Sequence, residues 1–366
     1  MSFSGGIDLN STYGTVLVTG HTGFKGTWLT LLLEHFGVNV VGYSLKPTKN
    51  SLYSQLERRN KIYETFSEIR NLEKLEKFIS KTKPRAVVHL AAQPLVFESY
   101  KSPLDTFDIN VMGTANLLNS CFKFDSIEKI LIITTDKVYK NDNLGNRFKE
   151  DDPLEGKDPY SASKVGAEAV ISAWQQIQNL QGGPKVISTR AGNVIGGGDL
   201  GENRLLPDVI RSITQVEDLQ IRNPKSTRPW QHVLDPISGY LSILSRSLDK
   251  DISPAYNFGP SEPSLSVKEV LDVCQNTLNN TLTINYLKPE NSGSKQIKIK
   301  KESDKLELDS SLSQSELGWQ PIWSQTDSIK RTINWWESVN NFHKTPLEAC
   351  IFDIQEFLNL HGRFHQ

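Results

Sequence analysis

A glycine-rich turn near the start of the chain constrains the fold more than any other feature. The β-branched run Thr15–Thr19 leads directly into Gly20-His21-Thr22-Gly23-Phe24-Lys25-Gly26, and an amphipathic segment of helical spacing follows. In a strand–turn–helix unit, such glycines allow a tight turn, close approach of the backbone to a pyrophosphate, and close packing of helix on strand. The helix N-terminus attracts the phosphates. The segment therefore predicts a dinucleotide site built from Gly20, Thr22, Gly23, Phe24, Lys25 and Gly26.

Strand-like runs alternate with helix-like segments through the first half of the chain. Leu29, Leu32, Leu33 and Phe36 share one face at helical spacing, and similar segments follow later. Parallel strands need crossover connections, which are usually helices. The pattern predicts an α/β chain with a Rossmann-type, doubly wound parallel sheet. The predicted strands are Thr15–Thr19, Val38–Tyr43, Ala86–Leu90, Lys129–Thr134 and Val186–Arg190.

After Arg190 the alternation stops, and glycine-rich, polar and proline-rich stretches follow. We expect a dinucleotide-binding domain over residues 1–190, with a later return of the chain to it around 231–259. A smaller lobe, partly discontinuous in sequence, is expected mainly over 191–345. A C-terminal helix and tail would complete the chain over 346–366.

The overall composition excludes several classes of partner. The 366 residues carry 41 basic and 42 acidic side chains, so no net charge favours nucleic acid or an anionic membrane. Cys121, Cys274 and Cys350 are widely spaced and lack a CxxC arrangement, which is typical of reduced thiols. Residues 1–12 are polar and do not resemble a signal peptide. We therefore expect a cytoplasmic protein that holds any anionic ligand with a local cluster of side chains.

A second motif predicts catalytic residues. Tyr160 and Lys164 lie four residues apart in Pro159-Tyr-Ser-Ala-Ser-Lys164, so a helix places both on one face. A nearby ammonium favours the phenolate and is expected to lower the pKa of Tyr160 toward that of a general base. The spacing alone is common. It gains weight here because it follows a dinucleotide loop and a strand ending in Thr134-Thr135.

Together these motifs resemble the extended short-chain dehydrogenase/reductases, whose glycine loop has the spacing GxxGxxG. The resemblance implies NAD as cofactor and a catalytic set of Thr135, Tyr160 and Lys164. It also implies that Glu68 and Ile69 contact the adenine, and that Leu90, Ala91 and Ala92 pass along the nicotinamide ribose. Simple packing at the end of a strand explains Ala92 equally well.

The end of the second predicted strand departs from the usual dinucleotide pattern. An acid there normally binds the adenosine ribose, whereas this chain has Ser44 after Tyr43. Ser44 can form one hydrogen bond but carries no charge, and Lys25 and Lys46 would tolerate a 2′-phosphate. The choice of NAD over NADP therefore rests on the resemblance.

The two residues after Thr135 indicate the reaction. In the family that the chain resembles, 4-epimerases act at C4 alone, whereas 4,6-dehydratases need a further acid and base to eliminate water across C5 and C6. Asp136 and Lys137 lie where that pair belongs, and Asp-Lys in place of Asp-Glu resembles the CDP-glucose branch of the dehydratases. A solvated lysine at a strand end is the competing interpretation of Lys137.

Two long segments, Arg190-Ala-Gly-Asn-Val-Ile-Gly-Gly-Gly-Asp199 and Arg222-Asn-Pro-Lys-Ser-Thr-Arg-Pro-Trp-Gln-His-Val-Leu-Asp235, extend the resemblance into the smaller lobe. They imply that Asn193 contacts the substrate diphosphate and that Arg204 and Arg228 neutralise phosphate charge, since guanidinium groups bind phosphate in a bidentate manner. Arg222 and His232 complete the implied substrate set. Structural ion pairing is the competing interpretation for Arg204 and Arg228.

The resemblance implies conversion of CDP-glucose to CDP-4-dehydro-6-deoxyglucose, a precursor of 3,6-dideoxyhexoses in bacterial surface polysaccharides. It implies a homodimer joined through helices around Thr114–Phe122 and Ser161–Ile177, and no metal site. A nucleotide-sugar epimerase, or a dehydratase for another nucleotide, is the nearest alternative. A catalytically silent dinucleotide-binding regulator is the alternative from a different class, and the intact Thr135, Tyr160 and Lys164 argue against it.

Overall fold

The computed structural model describes residues 14–142, 145–247, 252–287 and 305–364. The strands of the described residues, in chain order, are β1 (Thr15–Thr19), β2 (Asn39–Ser44), β3 (Tyr63–Phe66), β4 (Ala86–His89), β5 (Lys129–Ile133), β6 (Arg147–Phe148), β7 (Lys185–Ala191), β8 (Asn193–Ile195), β9 (Leu219–Ile221), β10 (Thr227–Arg228), β11 (Trp230–His232), β12 (Ala255–Phe258), β13 (Leu265–Ser266), β14 (Ile284–Tyr286) and β15 (Glu307–Leu308).

Helices connect these strands. They are α1 (Phe24–His35), α2 (Leu52–Gln55), α3 (Leu72–Thr82), α4 (Val96–Lys101), α5 (Pro103–Phe107), a π-helical turn (Asp108–Met112), α6 (Gly113–Cys121), a 3₁₀ turn (Asp136–Val138), α7 (Pro159–Gln181), α8 (Leu205–Gln215), α9 (Leu234–Ser245), α10 (Val267–Thr277), α11 (Ser311–Leu317), α12 (Gln325–Asn340) and α13 (Pro346–Phe364).

A seven-stranded parallel sheet forms the centre of the molecule, in the order β12-β7-β5-β4-β1-β2-β3. Apolar side chains pack on both of its faces, which is what covered parallel strands require. The winding direction reverses beside β1, which lies between β2 and β4. Ligands of such sheets bind at the carboxyl ends of the strands beside this reversal. The predicted doubly wound α/β fold is confirmed.

All five predicted strands are present, with ends that differ by at most one residue. Two strands of the central sheet were not predicted. β3 has the sequence Tyr-Glu-Thr-Phe and is only partly buried, so it lacks an apolar run. β12 is short and joins the sheet at the edge, beside β7.

Helix α1 differs from the amphipathic helix that the sequence predicts. Every residue from 26 to 33 is buried. The sheet covers one side of this helix, and α9 contacts it as well. A helix buried on all sides carries apolar residues all round.

Short paired strands and the helices that follow them lie outside the central sheet. β8 pairs with β11 in parallel, and β9 pairs with β14. Trp28 of α1 donates a hydrogen bond of 3.0 Å to the carbonyl of Gly197, which fastens the glycine-rich segment after β8 to the central sheet layer. Among the described helices, none is both long enough and apolar enough to span a bilayer.

Candidate active site

The glycine loop makes two backbone approaches that a side chain would block. Gly20 has φ +72°, and a Cβ there would lie 2.7 Å from the amide nitrogen of Ala91. A Cβ on Gly26 would lie 2.2 Å from the carbonyl oxygen of Gly20. The loop is therefore held against both α1 and the turn after β4, and the cradle at the sheet edge stays open for a phosphate.

Three other predicted loop residues make different contacts. The hydroxyl of Thr22 lies 2.7 Å from that of Ser44, which ties the loop to the end of β2. Phe24 is partly buried beside Gly196 of the smaller lobe. The Nζ of Lys25 donates a hydrogen bond of 3.3 Å to the hydroxyl of Tyr240 on α9. Lys25 thus contacts α9.

A buried acid lies near the end of β2, on a strand that the sequence did not predict. The Nε2 of His21 lies 2.8 Å from Glu64 of β3, and Glu64 also accepts hydrogen bonds from the hydroxyl of Tyr53 and the amide of Asn60. Burial lowers the pKa of His21. The carboxylate of Glu64 is thus shared among protein donors.

The two residues predicted to contact adenine lie beside this region. The Glu68 side chain is exposed and paired with Arg70 at 2.8 Å, while its carbonyl accepts a hydrogen bond of 3.1 Å from Tyr43. Ile69 is buried against Gly113 at the start of α6. Ile69 therefore contributes mainly to packing between the loop and the helix.

The loop after β4 carries the predicted Leu90, Ala91 and Ala92, all partly buried. Asn110, in the π-helical turn, holds this loop: its Oδ1 accepts from the amide of Gln93 at 2.8 Å, and its Nδ2 donates to Ser163 of α7 at 2.9 Å. Sequence reasoning did not assign a role to Asn110. Its signal was a polar residue at a buried helical position, and π-helical turns are frequent at functional sites.

The predicted catalytic residues come together at the carboxyl end of β5. Asp158 caps α7 in a capping box with Ser161, and Pro159 occupies its first turn, which fixes where Tyr160 and Lys164 emerge. The hydroxyl of Thr135 donates to Asp136 at 3.0 Å and opposes the rise of the pKa of the nearby Tyr160. Lys164 donates to the carbonyl of Ile133 at 3.2 Å.

Asp136, the acid among the predicted catalytic residues, is buried. Asp136 is 1% exposed, and its Oδ2 has no hydrogen-bond partner among the described residues. A Cβ on Gly192 would lie 3.1 Å from that oxygen, so this glycine leaves room for the carboxyl group. Burial raises the pKa of Asp136, while Lys137, Thr135 and Arg228 oppose the increase. Asp136 can therefore hold a proton at a higher pH than an exposed aspartic acid does.

The pKa of Tyr160 is not lowered as the sequence predicts. Burial raises the pKa of Tyr160 to about 12, although the Thr135 hydroxyl opposes the increase. Burial likewise lowers the pKa of Lys164 to about 8, and Glu168 opposes that decrease. The expected lowering of the Tyr160 pKa is therefore wrong, because the effect of burial is larger than that of the Thr135 hydroxyl and the Arg204 charge, which oppose it.

Glu168 is a residue that sequence reasoning missed. It lies one turn after Lys164 and binds Arg190 through two hydrogen bonds of 2.9 Å. The hydroxyls of Thr134 and Ser188 donate to the same carboxylate at 2.5 and 2.7 Å. Both charged side chains are almost fully buried. The sequence did contain a signal for Glu168. It is an acidic residue four positions after Lys164, so a helix places both side chains on one face.

The residues predicted to bind the substrate separate into two groups. Arg204 and Arg228 both act electrostatically on the catalytic group, Arg204 on Tyr160 and Arg228 on Asp136. Arg204 also pairs with Asp199 at 3.0 Å, as the competing interpretation predicts. Asn193 starts β8, where it pairs with Trp230.

Arg222 and His232 do not join this group. Arg222 is exposed on the segment after β9. His232 is fully buried, with its ring edge-on to Trp28 and Trp323, and burial lowers its pKa to about 3. The structure thus gives His232 a role in core packing rather than the substrate contact that the resemblance implies.

Comparisons with known proteins agree with this geometry. The profile of the GDP-mannose 4,6 dehydratase family matches residues 17–332. The chain belongs to this family. A CDP-glucose 4,6-dehydratase of Salmonella typhimurium strain LT2 is 41% identical over 339 residues, which are 90% of this chain and 92% of that protein. A dTDP-glucose 4,6-dehydratase of Haemophilus influenzae is 27% identical over 88% of this chain and 97% of its own.

A solved structure shares the fold of this family member. The dTDP-glucose 4,6-dehydratase of Bacillus anthracis strain Ames, in complex with NAD, superposes with a TM-score of 0.74. It is 24% identical in sequence, and the match covers 88% of this chain and 96% of that one. The Rossmann-type architecture of the dehydratase family is therefore present in this chain.

Proposed function

We propose that this protein removes water from CDP-glucose to give CDP-4-dehydro-6-deoxyglucose, using bound NAD. The observation that carries the proposal is the enclosed carboxyl group of Asp136 beside the hydroxyls of Thr135 and Tyr160. A 4-epimerase has no use for an acid there, because no leaving group departs from C6. The 41% identity to the CDP-glucose enzyme of Salmonella typhimurium supports CDP-glucose as the substrate.

The residues present fit a dinucleotide. The cradle around Gly20 admits no side chain, it lies beside the reversal of strand order, and the N-terminus of α1 faces it. Ser44 and Thr22 supply hydroxyl groups at the end of β2, and the nearby carboxylate of Glu64 is already shared among protein donors. When bound, NAD supplies the acceptor for the C4 hydride and later the donor of hydride to C6. Residues of the chain carry the remaining steps.

Tyr160 accepts the proton of the C4 hydroxyl as C4 is oxidised. The resulting 4-keto group acidifies the C5 hydrogen, and Lys137 removes that proton. Asp136 gives its proton to the C6 hydroxyl, which leaves as water. Hydride is returned to C6, and Lys137 returns its proton to C5. Tyr160 then holds one proton too many and Asp136 one too few.

The hydroxyl of Thr135 supplies the route that balances these two protons. It donates to Asp136 and acts on the nearby Tyr160, so in this proposal a proton moves from the phenol to the carboxylate through the Thr135 hydroxyl. The net reaction is substrate to product plus water, with no change in the oxidation state of the cofactor.

We further propose a cytoplasmic homodimer. Large apolar side chains on the segment from α4 to α6 remain exposed, including Leu104 at 86% and Met112 at 51%. The neighbouring helix α7 packs against this segment, so the exposed face continues the pair of helices that the sequence predicts as the dimer interface. The free thiols of Cys121, Cys274 and Cys350 support a reducing compartment.

A substrate panel tests the proposed function. The purified protein is incubated separately with CDP-glucose, dTDP-glucose, UDP-glucose and GDP-mannose, and the 4-keto product is measured. We expect efficient turnover of CDP-glucose alone. Comparable kcat/KM with dTDP-glucose would contradict the proposed nucleotide preference, and a 4-epimer without loss of water would contradict the dehydratase assignment.

A further inference from the structure

Strand β11 is held on one edge by side chains of a C-terminal helix. The amide of Trp230 donates to Oε1 of Gln325 at 3.1 Å, and the amide of His232 donates to the hydroxyl of Ser328 at 3.1 Å. Both acceptors belong to α12. Strand β8 pairs with the other edge of β11. The position of β11 therefore depends on α12 as well as on its strand partner.

The side chain of His232 connects the same strand to the last helix. Its Nδ1 accepts a hydrogen bond of 3.3 Å from the amide of Leu234, so in the neutral ring the proton lies on Nε2. Burial lowers the pKa of His232 to about 3, which keeps the ring neutral. Nε2 lies 3.9 Å from Oδ2 of Asp353 on α13. A donor of β11 thus faces an acceptor of α13.

Neither of these two atoms has a hydrogen-bond partner elsewhere in the described part of the chain. Nε2 of His232 and Oδ2 of Asp353 are both buried and unpaired. The other carboxylate oxygen of Asp353 lies 3.5 Å from Nη1 of Arg331. A buried polar atom without a partner costs free energy, so a donor and an acceptor that face each other belong together. The contact joins β11 to α13.

The residues just before β11 lie against the proposed acid. A Cβ on Gly192 would lie 2.6 Å from Cγ of Pro229 and 3.1 Å from Oδ2 of Asp136, so both groups border the same glycine. The charge of Arg228 opposes the rise of the Asp136 pKa. Pro229 directly precedes Trp230, the first residue of β11. A displacement of β11 would therefore move both Arg228 and Pro229 relative to Asp136.

We propose that Asp353, acting through the ring of His232, is a positioning residue that holds Arg228 and Pro229 beside Asp136. The inference rests on the proposed function, in which Asp136 gives its proton to the departing C6 hydroxyl. Loss of the contact should therefore slow the elimination of water more than the oxidation at C4, which does not use Asp136.

Variants of α13 separate positioning from stability. Asp353→Leu removes the acceptor, Asp353→Asn keeps an acceptor oxygen, and Gln355→Leu changes an exposed residue of the same helix as the control. Burial raises the pKa of Asp353 to about 7, so the assays are run at pH 8, where the carboxylate predominates. Urea denaturation shows whether each variant is folded. Asp353→Ala takes the place of Asp353→Leu if the latter does not fold.

A single turnover of CDP-glucose measures the two halves of the reaction. In Asp353→Leu, C4 oxidation should keep close to the wild-type rate, while elimination should slow about 10- to 100-fold, as expected when a catalytic group is misplaced by about 1 Å. Reduced nicotinamide should therefore accumulate transiently. Asp353→Asn and Gln355→Leu should not accumulate it. A folded Asp353→Leu with the wild-type time course, or with both steps slowed equally, would overturn the proposal.

Calorimetric titration with CDP distinguishes failure of this inference from failure of the proposed function. Arg228 is expected to act on the phosphates, so Asp353→Leu should bind CDP about 10-fold more weakly than Gln355→Leu. If the wild-type protein does not dehydrate CDP-glucose but this difference appears, the proposed function fails and the positioning role stands. If it dehydrates CDP-glucose and the variants differ neither in elimination nor in CDP affinity, the positioning role fails alone. Equal affinities without dehydration overturn both.

Discussion

Glu168, one helical turn after Lys164, accepts two hydrogen bonds of 2.9 Å from the guanidinium of Arg190. The pair is almost fully buried, and the hydroxyls of Thr134 and Ser188 complete the coordination of the carboxylate. Arg190 continues the network by donating to the Tyr139 hydroxyl at 2.8 Å. This network anchors the turn that carries Asp136 and also opposes the loss of charge at Lys164.

Glu168→Gln should move the alkaline limb of the kcat/KM profile to lower pH. Burial already lowers the pKa of Lys164 to about 8, and loss of the Glu168 charge lowers it further, so the ammonium form is lost earlier as the pH rises. Glu168→Asp keeps the charge and should leave the limb in place. A Glu168→Gln profile that is reduced in height but unmoved would show that Glu168 has a structural role only.

Lys129→Met should reduce the free energy of unfolding by about 1–3 kcal/mol, because it leaves buried carbonyls without a donor. Lys129 has no exposed surface, and its Nζ donates to the carbonyls of Ile243, Leu244 and Arg246 at the end of α9. Urea denaturation measures the change. The exposed Lys77→Met on α3 is the control and should alter stability by less than about 0.5 kcal/mol. Equal effects of the two substitutions would contradict a capping role for Lys129.

The sequence predicted well those parts of the molecule that depend on the local spacing of glycines and apolar residues. The glycine loop and the five apolar strands follow from residue spacing and periodicity, and the chain order alone indicates parallel pairing. Strand β3 was missed because its four residues, Tyr-Glu-Thr-Phe, are exposed or only partly buried and contain no apolar run, so that only its pairing with β2 makes it a strand. Glu64 was missed with it.

Prediction of the site failed for residues whose contacts or pKa depend on the elements packed around the side chain. The segment containing His232 predicted a substrate contact, but packing between Trp28 and Trp323 places the imidazole in the core. The spacing of Tyr160 and Lys164 predicted their proximity but not the raised pKa of Tyr160, because burial depends on elements that are distant in sequence. The partnership of Glu168 with Arg190 crosses from α7 to β7 and has no local signature.

Tyr160→Phe and Lys137→Ala should block different halves of the reaction. Tyr160→Phe removes the general base for C4 oxidation and should slow the reaction roughly 10²–10⁴-fold, with little reduced cofactor formed. Lys137→Ala should leave C4 oxidation largely intact and slow C5 deprotonation. Reduced nicotinamide should then accumulate transiently in a single turnover, with a larger isotope effect from C5-deuterated substrate. Wild-type rates and wild-type solvent exchange at C5 in Lys137→Ala would make this lysine a solvated bystander.

If the protein forms the proposed dimer, Leu104→Glu should convert it to a monomer, because the substitution places a charge on the exposed apolar surface of α5. Sedimentation at micromolar concentration measures the assembly. Val216→Glu is the control: Val216 is 92% exposed in the turn that ends α8, on the smaller lobe, and its substitution should leave the dimer intact. A monomeric wild-type protein under these conditions would contradict the dimer proposal.

The most direct test of the internal redox cycle follows one hydrogen atom. CDP-glucose deuterated at C4 is converted by the enzyme, and the product is examined by NMR and mass spectrometry. The mechanism predicts that the deuterium moves from C4 to the C6 methyl group of the same sugar, while the hydrogen at C5 comes from the protein or solvent. Release of the label to solvent, or its retention at C4, would contradict the account.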